Sequence, residues 1–161
     1  MRKLIVLLFL IAVLFISSGQ TYEQQSIIPD LQKWLPGKPL ESLLSKIEIP
    51  YWGITVSVEE RGYYYFIEFL LRKSAHFFIF GFIAVAIYAV LPKFKNRLII
   101  SGFFTLLIAI GDEYHQSLTG GRTPSAQDVL LDMAGAVTAL VIIGVGLKIF
   151  GTKKRKNRLR I

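Results

Sequence analysis

Apolar residues in this chain come in four blocks, not at the scattered period of a soluble helix or strand. The first, LIVLLFLIAVLFI, runs from Leu4 to Ile16 behind Arg2 and Lys3. The second, SAHFFIFGFIAVAIYAVL, covers Ser74 to Leu91 and follows an aromatic lead-in from Tyr63 to Tyr65. The third, LIISGFFTLLIAIG, runs from Leu98 to Gly111 and continues into DEYHQ; the fourth, VLLDMAGAVTALVIIGVGL, covers Val129 to Leu147. A spanning helix needs about 20 mostly apolar residues. The second and fourth blocks reach that length alone, and the third does when Asp112 to Gln116 are counted inside the span. The pattern predicts an all-α integral membrane protein, one domain over 1–161. It has four transmembrane helices, at about 4–19, 63–91, 98–117 and 127–149, and a tail at 150–161.

The first block also fits a cleavable signal peptide, since a short apolar run lies between Arg2-Lys3 and Ser17-Ser18-Gly19. Retention and cleavage both export residue 20 onward, so the later topology is the same. The exported loop, 20–62, holds PLESLLSKI, in which Leu40, Leu43, Leu44 and Ile47 share a helical face behind Pro39. This reads as a short helix lying on the outer membrane surface. ITVSVE alternates at period two and reads as a strand with no evident partner. A plain spacer and a lid over the outer face both fit this loop.

With 161 residues, 53% hydrophobic, and a mean hydropathy of +0.50, the composition agrees with a membrane chain. Absence of cysteine excludes a disulfide framework and a thiolate metal site. The net charge of +8 raises nucleic acid as a partner, but the placement of the charges argues for lipid. With the amino terminus, the turn at 92–97 and the chain from Lys148 onward on one side, that side holds 12 of the 19 basic residues and none of the 11 acidic ones. Both termini are therefore expected in the cytoplasm of a bacterial plasma membrane. The tail KKRKNRLR has no aromatic interleaving, and is suited to anionic lipid and not to nucleic acid.

Ionisable residues then collect at one depth. His76, Glu113 and Asp132 lie 15, 15 and 16 residues from Leu91, Leu98 and Lys148. Each is thus roughly 23 Å above the inner interface, within the outer leaflet. Just outside come Arg72, Lys73, His115, Gln116, Arg122 and Asp128. Lys73 and His76 share a helix face, as do Asp112 and His115, and Asp128 and Asp132. Asp128, Asp132, Gly135 and Ala139 form a stripe whose small members let a neighbouring helix approach closely. The expectation is an outward-facing polar pocket. Each member also has a plain structural role: SAQD reads as a capping box, Arg122 as a loop charge, Lys73 as a snorkelling cation, and His76 as a hydrogen-bonded core histidine. Asp132, a turn deep in an apolar helix, is the hardest to assign to structure alone.

The stretches KSAHFFIFG, DEYHQ and GGRTPSAQDVLLDMAG together resemble the VanZ-like family of small bacterial membrane proteins. The resemblance runs from Lys73 to about Gly135 and includes the short first helix ending in SSGQ. The matching positions are Lys73, His76, Asp112, Glu113, His115, Gln116, Arg122, Asp128 and Gly135; Asp132 stands where the family often carries Asn. The resemblance implies a cell-envelope protein of the teicoplanin-resistance class, and implies no particular reaction.

Three kinds of work fit such a pocket. A binding protein would hold a lipid-linked cell-wall precursor or exclude a lipoglycopeptide, with Lys73, Asp112, His115, Gln116, Arg122 and Asp128 as contacts. An enzyme acting on a phosphate-bearing envelope lipid would use His76, Glu113 and Asp132 as acid and base, although no nucleophile motif accompanies them. No cofactor is expected; a divalent metal on His76, Asp112, Glu113, His115 and Asp128 is the weaker variant, because the helical His-x-x-x-His spacing is missing. Transport fits least, since no polar path crosses the inner half.

Overall fold

The computed structural model describes residues 1–119 and 125–158, with side chains as far as 149. In chain order the elements are α1 (Arg2–Ser18), α2 (Ile28–Trp34), α3 (Glu41–Leu44), β1 (Ile49–Tyr51), β2 (Ile54–Val56), α4 (Val58–Arg61), α5 (Tyr63–Val90), α6 (Arg97–Ser117) and α7 (Ala126–Arg158). Among the described residues, three helices are long and apolar enough to cross a membrane: α5, α6 and Ala126–Ile149 of α7. Of the four expected spans, α1 is the one that falls short. Its 17 residues cover about 26 Å, slightly less than a hydrocarbon core.

Long helix α5 packs against α1, α6 and α7. Phe80, Ile83 and Ile87 of α5 form a core with Leu14 of α1 and Ala109 of α6, while Ala84 meets Ala136 and Leu140 of α7. Small residues at these crossings suit helices that have no hydrophobic driving force between them in lipid. The outward faces stay apolar: Leu4, Phe9, Phe82, Ile99, Phe103, Val137 and Ile142 are all exposed. At one end of the bundle Met1 to Leu4 lie around Val90, and Leu98 reaches Gly144. At the other, Ser18 meets His115, Ser125 meets Glu113, and the segment 20–62 meets the start of α7.

That segment is folded, not a bare spacer. Val56, Val58, Tyr63 and Phe66 make a small core above the start of α5, with Leu35, Leu44 and Ile49 packed on it. Tyr63 and Tyr64 donate their hydroxyls to the carbonyls of Pro39 (2.9 Å) and Leu35 (3.0 Å). The strand expected from ITVSVE does have a partner, immediately upstream: Ile49, Pro50 and Tyr51 pair antiparallel with Val56, Thr55 and Ile54. Trp52 and Gly53 turn the hairpin with φ of 54° and 73°, the signs that a type I′ turn requires. The helix expected from PLESLLSKI is a single turn, Glu41–Leu44, entered from Leu40 in a left-handed conformation with φ of 63°. Leu40, Leu43 and Ile47 are exposed.

Candidate functional site

The site starts from the crossing of α5 and α7. A Cβ on Gly135 would stand 1.9 Å from the Phe77 carbonyl oxygen, so only glycine permits this approach. Gly81 and Ala139 continue the same contact. His76 precedes Phe77, and Asp132 lies one turn before Gly135. The close approach therefore brings His76 Nδ1 to 3.3 Å from Asp132 Oδ1. Asp132 is fully buried, and neither of its oxygens has a hydrogen bond of good geometry among the described residues. His76 is also stacked on Phe80, with ring centroids 6.2 Å apart.

Acidic residues at the end of α6 support the start of α7. Ser125 is the N-cap: its hydroxyl accepts the Asp128 N–H at 3.2 Å. In a capping box the third helical residue would return its carboxylate to the N-cap amide. Here Glu113 takes that role from α6, accepting the Ser125 N–H through Oε2 at 2.7 Å. The carboxylate of Asp128 is left available for other partners. Beside it Asp112, fully buried, accepts from Gln116 Nε2 at 2.7 Å. Asp112 Oδ1 and Glu113 Oε1 are buried without a hydrogen-bond partner among the described residues.

Asp128 uses that freedom to receive both Lys73 and the Tyr51 hydroxyl. The Lys73 ammonium also donates to the Tyr51 oxygen at 2.6 Å and lies 4.4 Å from the centre of the Tyr51 ring. Burial, then the hydrogen bond to Asp128, push the Tyr51 phenol above its ordinary range. The neighbouring Trp52 N–H donates to Gln127 Oε1 at 3.0 Å, so the hairpin tip sits on the first turn of α7. Arg72, the residue before Lys73, holds a different part of the segment. It pairs with the fully buried Glu68 at 3.1 Å and donates to the Tyr22 carbonyl at 3.2 Å and to Gln25. Glu68 in turn accepts the Ile27 N–H at 2.8 Å and the Tyr22 hydroxyl at 3.3 Å. Burial and then Glu68 raise the Tyr22 phenol.

Between these two attachments lies a cavity of about 590 Å³. Arg61, Arg72 and Lys73, with His76 beside them, give it a cationic wall, Asp128 its only carboxylate among the described residues, and Tyr22, Tyr51, Trp52, Tyr65 and Phe69 an aromatic one. Of the residues expected from sequence, Lys73, His76, Gln116 and Asp128 line it. Asp112, Glu113 and Asp132 are buried among the helices and do not line it. His115 is turned to α1, with Nδ1 3.3 Å from Ser18 Oγ and its ring 5.3 Å from that of Phe15. Arg122 lies outside the described residues. Among those described, no three histidine or acidic side chains gather as metal ligands. Sequence reasoning missed Tyr51, Arg61, Glu68, Tyr22 and Gln25. Only Glu68 carried a readable signal, its i,i+4 spacing to Arg72.

A family model described as VanZ/LLP1 matches residues 3–147. No curated protein and no solved structure matches the chain.

Proposed function

The chain belongs to the VanZ-like family, and we propose that this member is a bacterial plasma-membrane protein whose cavity faces outward and holds an envelope amphiphile. On this reading α1 is a fourth span, both termini are cytoplasmic and the basic tail meets anionic lipid. The occupant is a lipid-linked cell-wall molecule, or a lipoglycopeptide of the teicoplanin type that the protein keeps from its target. The observation that carries the reading is the lining of the cavity. A cationic wall faces an aromatic wall at the end of an apolar bundle, which suits a ligand with a charged head and an oily body. The folded segment 20–62 forms part of that enclosure.

Two measurements test it. Lipid extracted from the detergent-purified chain should contain one envelope amphiphile in stoichiometric amount, and Lys73→Met should lose it at unchanged membrane level. Absence of any retained amphiphile in the parent protein would remove the binding reading. For orientation, the chain offers a cysteine-free background. A membrane-impermeant maleimide added outside whole cells should label Gln20→Cys and spare Lys95→Cys.

One contact favours a second reading. His76 lines the cavity and stands against the buried Asp132, the arrangement in which a carboxylate orients an imidazole for proton transfer. An acid/base enzyme acting on a phosphate-bearing envelope lipid would use that pair, with Glu113 adjoining. Release of phosphate from such a lipid by the purified protein, abolished in His76→Ala, would establish it; amphiphile bound and returned unchanged would exclude it.

A further inference from the structure

Two of the three cations on the cavity wall already have a carboxylate. Arg72 is matched by Glu68 and Lys73 by Asp128. Arg61 lines the same cavity from α4 and makes no ion pair or side-chain hydrogen bond among the described residues. Arg72 also keeps a buried Nε–H that lacks an acceptor among those residues, but that atom is closed off from the cavity. The wall thus carries one uncompensated positive charge, on Arg61. An anion meets that need, and the planar donors of guanidinium match the oxygens of phosphate.

Lys73 links such an anion to the hairpin. Its ammonium touches Asp128 and Tyr51, and Tyr51 touches Asp128, so three groups share one small network. The Lys73 and Asp128 side chains are 24% and 18% exposed, open enough to exchange partners. The hairpin tip is also strained. Trp52 has a φ of 54°, a left-handed conformation that is unfavourable for a bulky residue. Its attachments to α5 and α7 therefore hold the turn down against a local preference to relax.

We propose that the cavity recognises a phosphate-type anion between Arg61 and Lys73, and that its arrival draws Lys73 from Asp128 and releases the hairpin tip. This rests on the reading of the cavity as the working site, and adds to it a ligand chemistry and a coupled motion. A phospholipid or lipid-phosphate headgroup and free inorganic phosphate offer the same chemistry, so the experiment separates them.

Trp34, 71% exposed, is replaced in the full chain by Phe, which leaves Trp52 as the sole tryptophan. The protein in dodecylmaltoside micelles is titrated with inorganic phosphate or with phosphatidylglycerol, against sodium chloride at matched ionic strength. Acrylamide quenching of Trp52 is read. Quenching should rise and saturate with one of the two probes, and Arg61→Gln should move the midpoint about tenfold higher. Asp128→Asn should raise quenching with nothing added. A response to inorganic phosphate assigns the free ion, and a response to phosphatidylglycerol alone assigns the headgroup. Flat quenching with both probes, or an unmoved midpoint in Arg61→Gln, overturns the proposal. If a stoichiometric amphiphile is still retained when Trp52 never responds, the phosphate latch falls and the cavity reading stands; loss of both removes both.

Discussion

Arg72 and Lys73 are neighbours in sequence, yet each fastens a different part of the segment 20–62 by a different kind of bond. Arg72 pairs within its own helix, four residues back, with a carboxylate that has no exposure and also receives the Ile27 amide and the Tyr22 hydroxyl. Lys73 pairs across helices with Asp128, and both side chains keep part of their surface open to the cavity. The first arrangement is an anchor, built on a buried carboxylate with several partners and costly to disturb. The second is a latch, strong while closed and able to trade one anion for another. Adjacent positions on one helix can thus give permanence and exchange, because burial and the number of partners differ, not because the charges do.

The largest expected effect breaks the anchor. Glu68→Ala would leave the Arg72 guanidinium, the Ile27 amide and the Tyr22 hydroxyl without their shared acceptor. A loss of about 3 kcal/mol follows from an uncompensated, mostly buried cation. Asp128→Ala, which opens the latch, should cost about 1 kcal/mol, as for a partly exposed pair. Unfolding midpoints in the same micelles would compare the two. Equal losses would mean that burial does not separate them.

Next in size is a change that disturbs the floor beneath both. Gly135→Ala forces a methyl against the Phe77 carbonyl. The α5–α7 crossing must open, at about 1–3 kcal/mol, and His76 must draw away from Asp132. Gly146→Ala is the control, since a Cβ there meets nothing within 4 Å. If Gly135→Ala behaves like Gly146→Ala, the crossing is looser than the geometry requires.

The sequence shows this floor clearly and the latch hardly at all. The stripe Asp128, Asp132, Gly135 and Ala139 follows helical spacing, and spacing along one helix reports which residues share a face. It does not report which neighbour that face meets. Asp112 and His115, three apart, diverge by about 60° around the axis. That is enough to bury Asp112 beside Gln116 while His115 meets Phe15 and Ser18 of α1. Tyr51 reaches Asp128 across 77 positions, through a hairpin whose Trp-Gly turn lacks the usual Asn-Gly signal and whose first strand contains Pro50. No local period encodes such a contact. The Glu113–Ser125 bond was hidden for a related reason: SAQD reads as a self-sufficient cap until a second helix is seen supplying the carboxylate.

A smaller effect concerns pH. Tyr51 donates its proton to Asp128, and its phenol is raised above the ordinary value near 10. A group whose pKa rises on folding contributes stability that is complete below the unfolded value. That stability is lost only as pH climbs through the folded one. The latch should therefore stay closed at pH 9 and open only in stronger alkali. Trp52 quenching that rises below pH 9 would show that another group controls the hairpin.

The smallest expected effect is the most discriminating, because it concerns which carboxylate caps α7. Glu113→Gln retains a side-chain carbonyl that can accept the Ser125 amide, so stability should change by no more than about 0.5 kcal/mol. Glu113→Ala removes the acceptor from a buried amide, at about 1–2 kcal/mol. In that variant Asp128, the carboxylate that a capping box would use, is the replacement at hand. If Asp128 turns to the cap, it leaves Lys73 and Tyr51, and the hairpin loosens without any ligand. Trp52 quenching should then rise in Glu113→Ala and remain at the parent level in Glu113→Gln. An acid/base role for Glu113 makes a different forecast: Gln would abolish turnover while leaving Trp52 undisturbed. A loosened hairpin in Glu113→Gln would contradict both, since it would make the charge of Glu113, and not its hydrogen bond, the thing that keeps Asp128 at the latch.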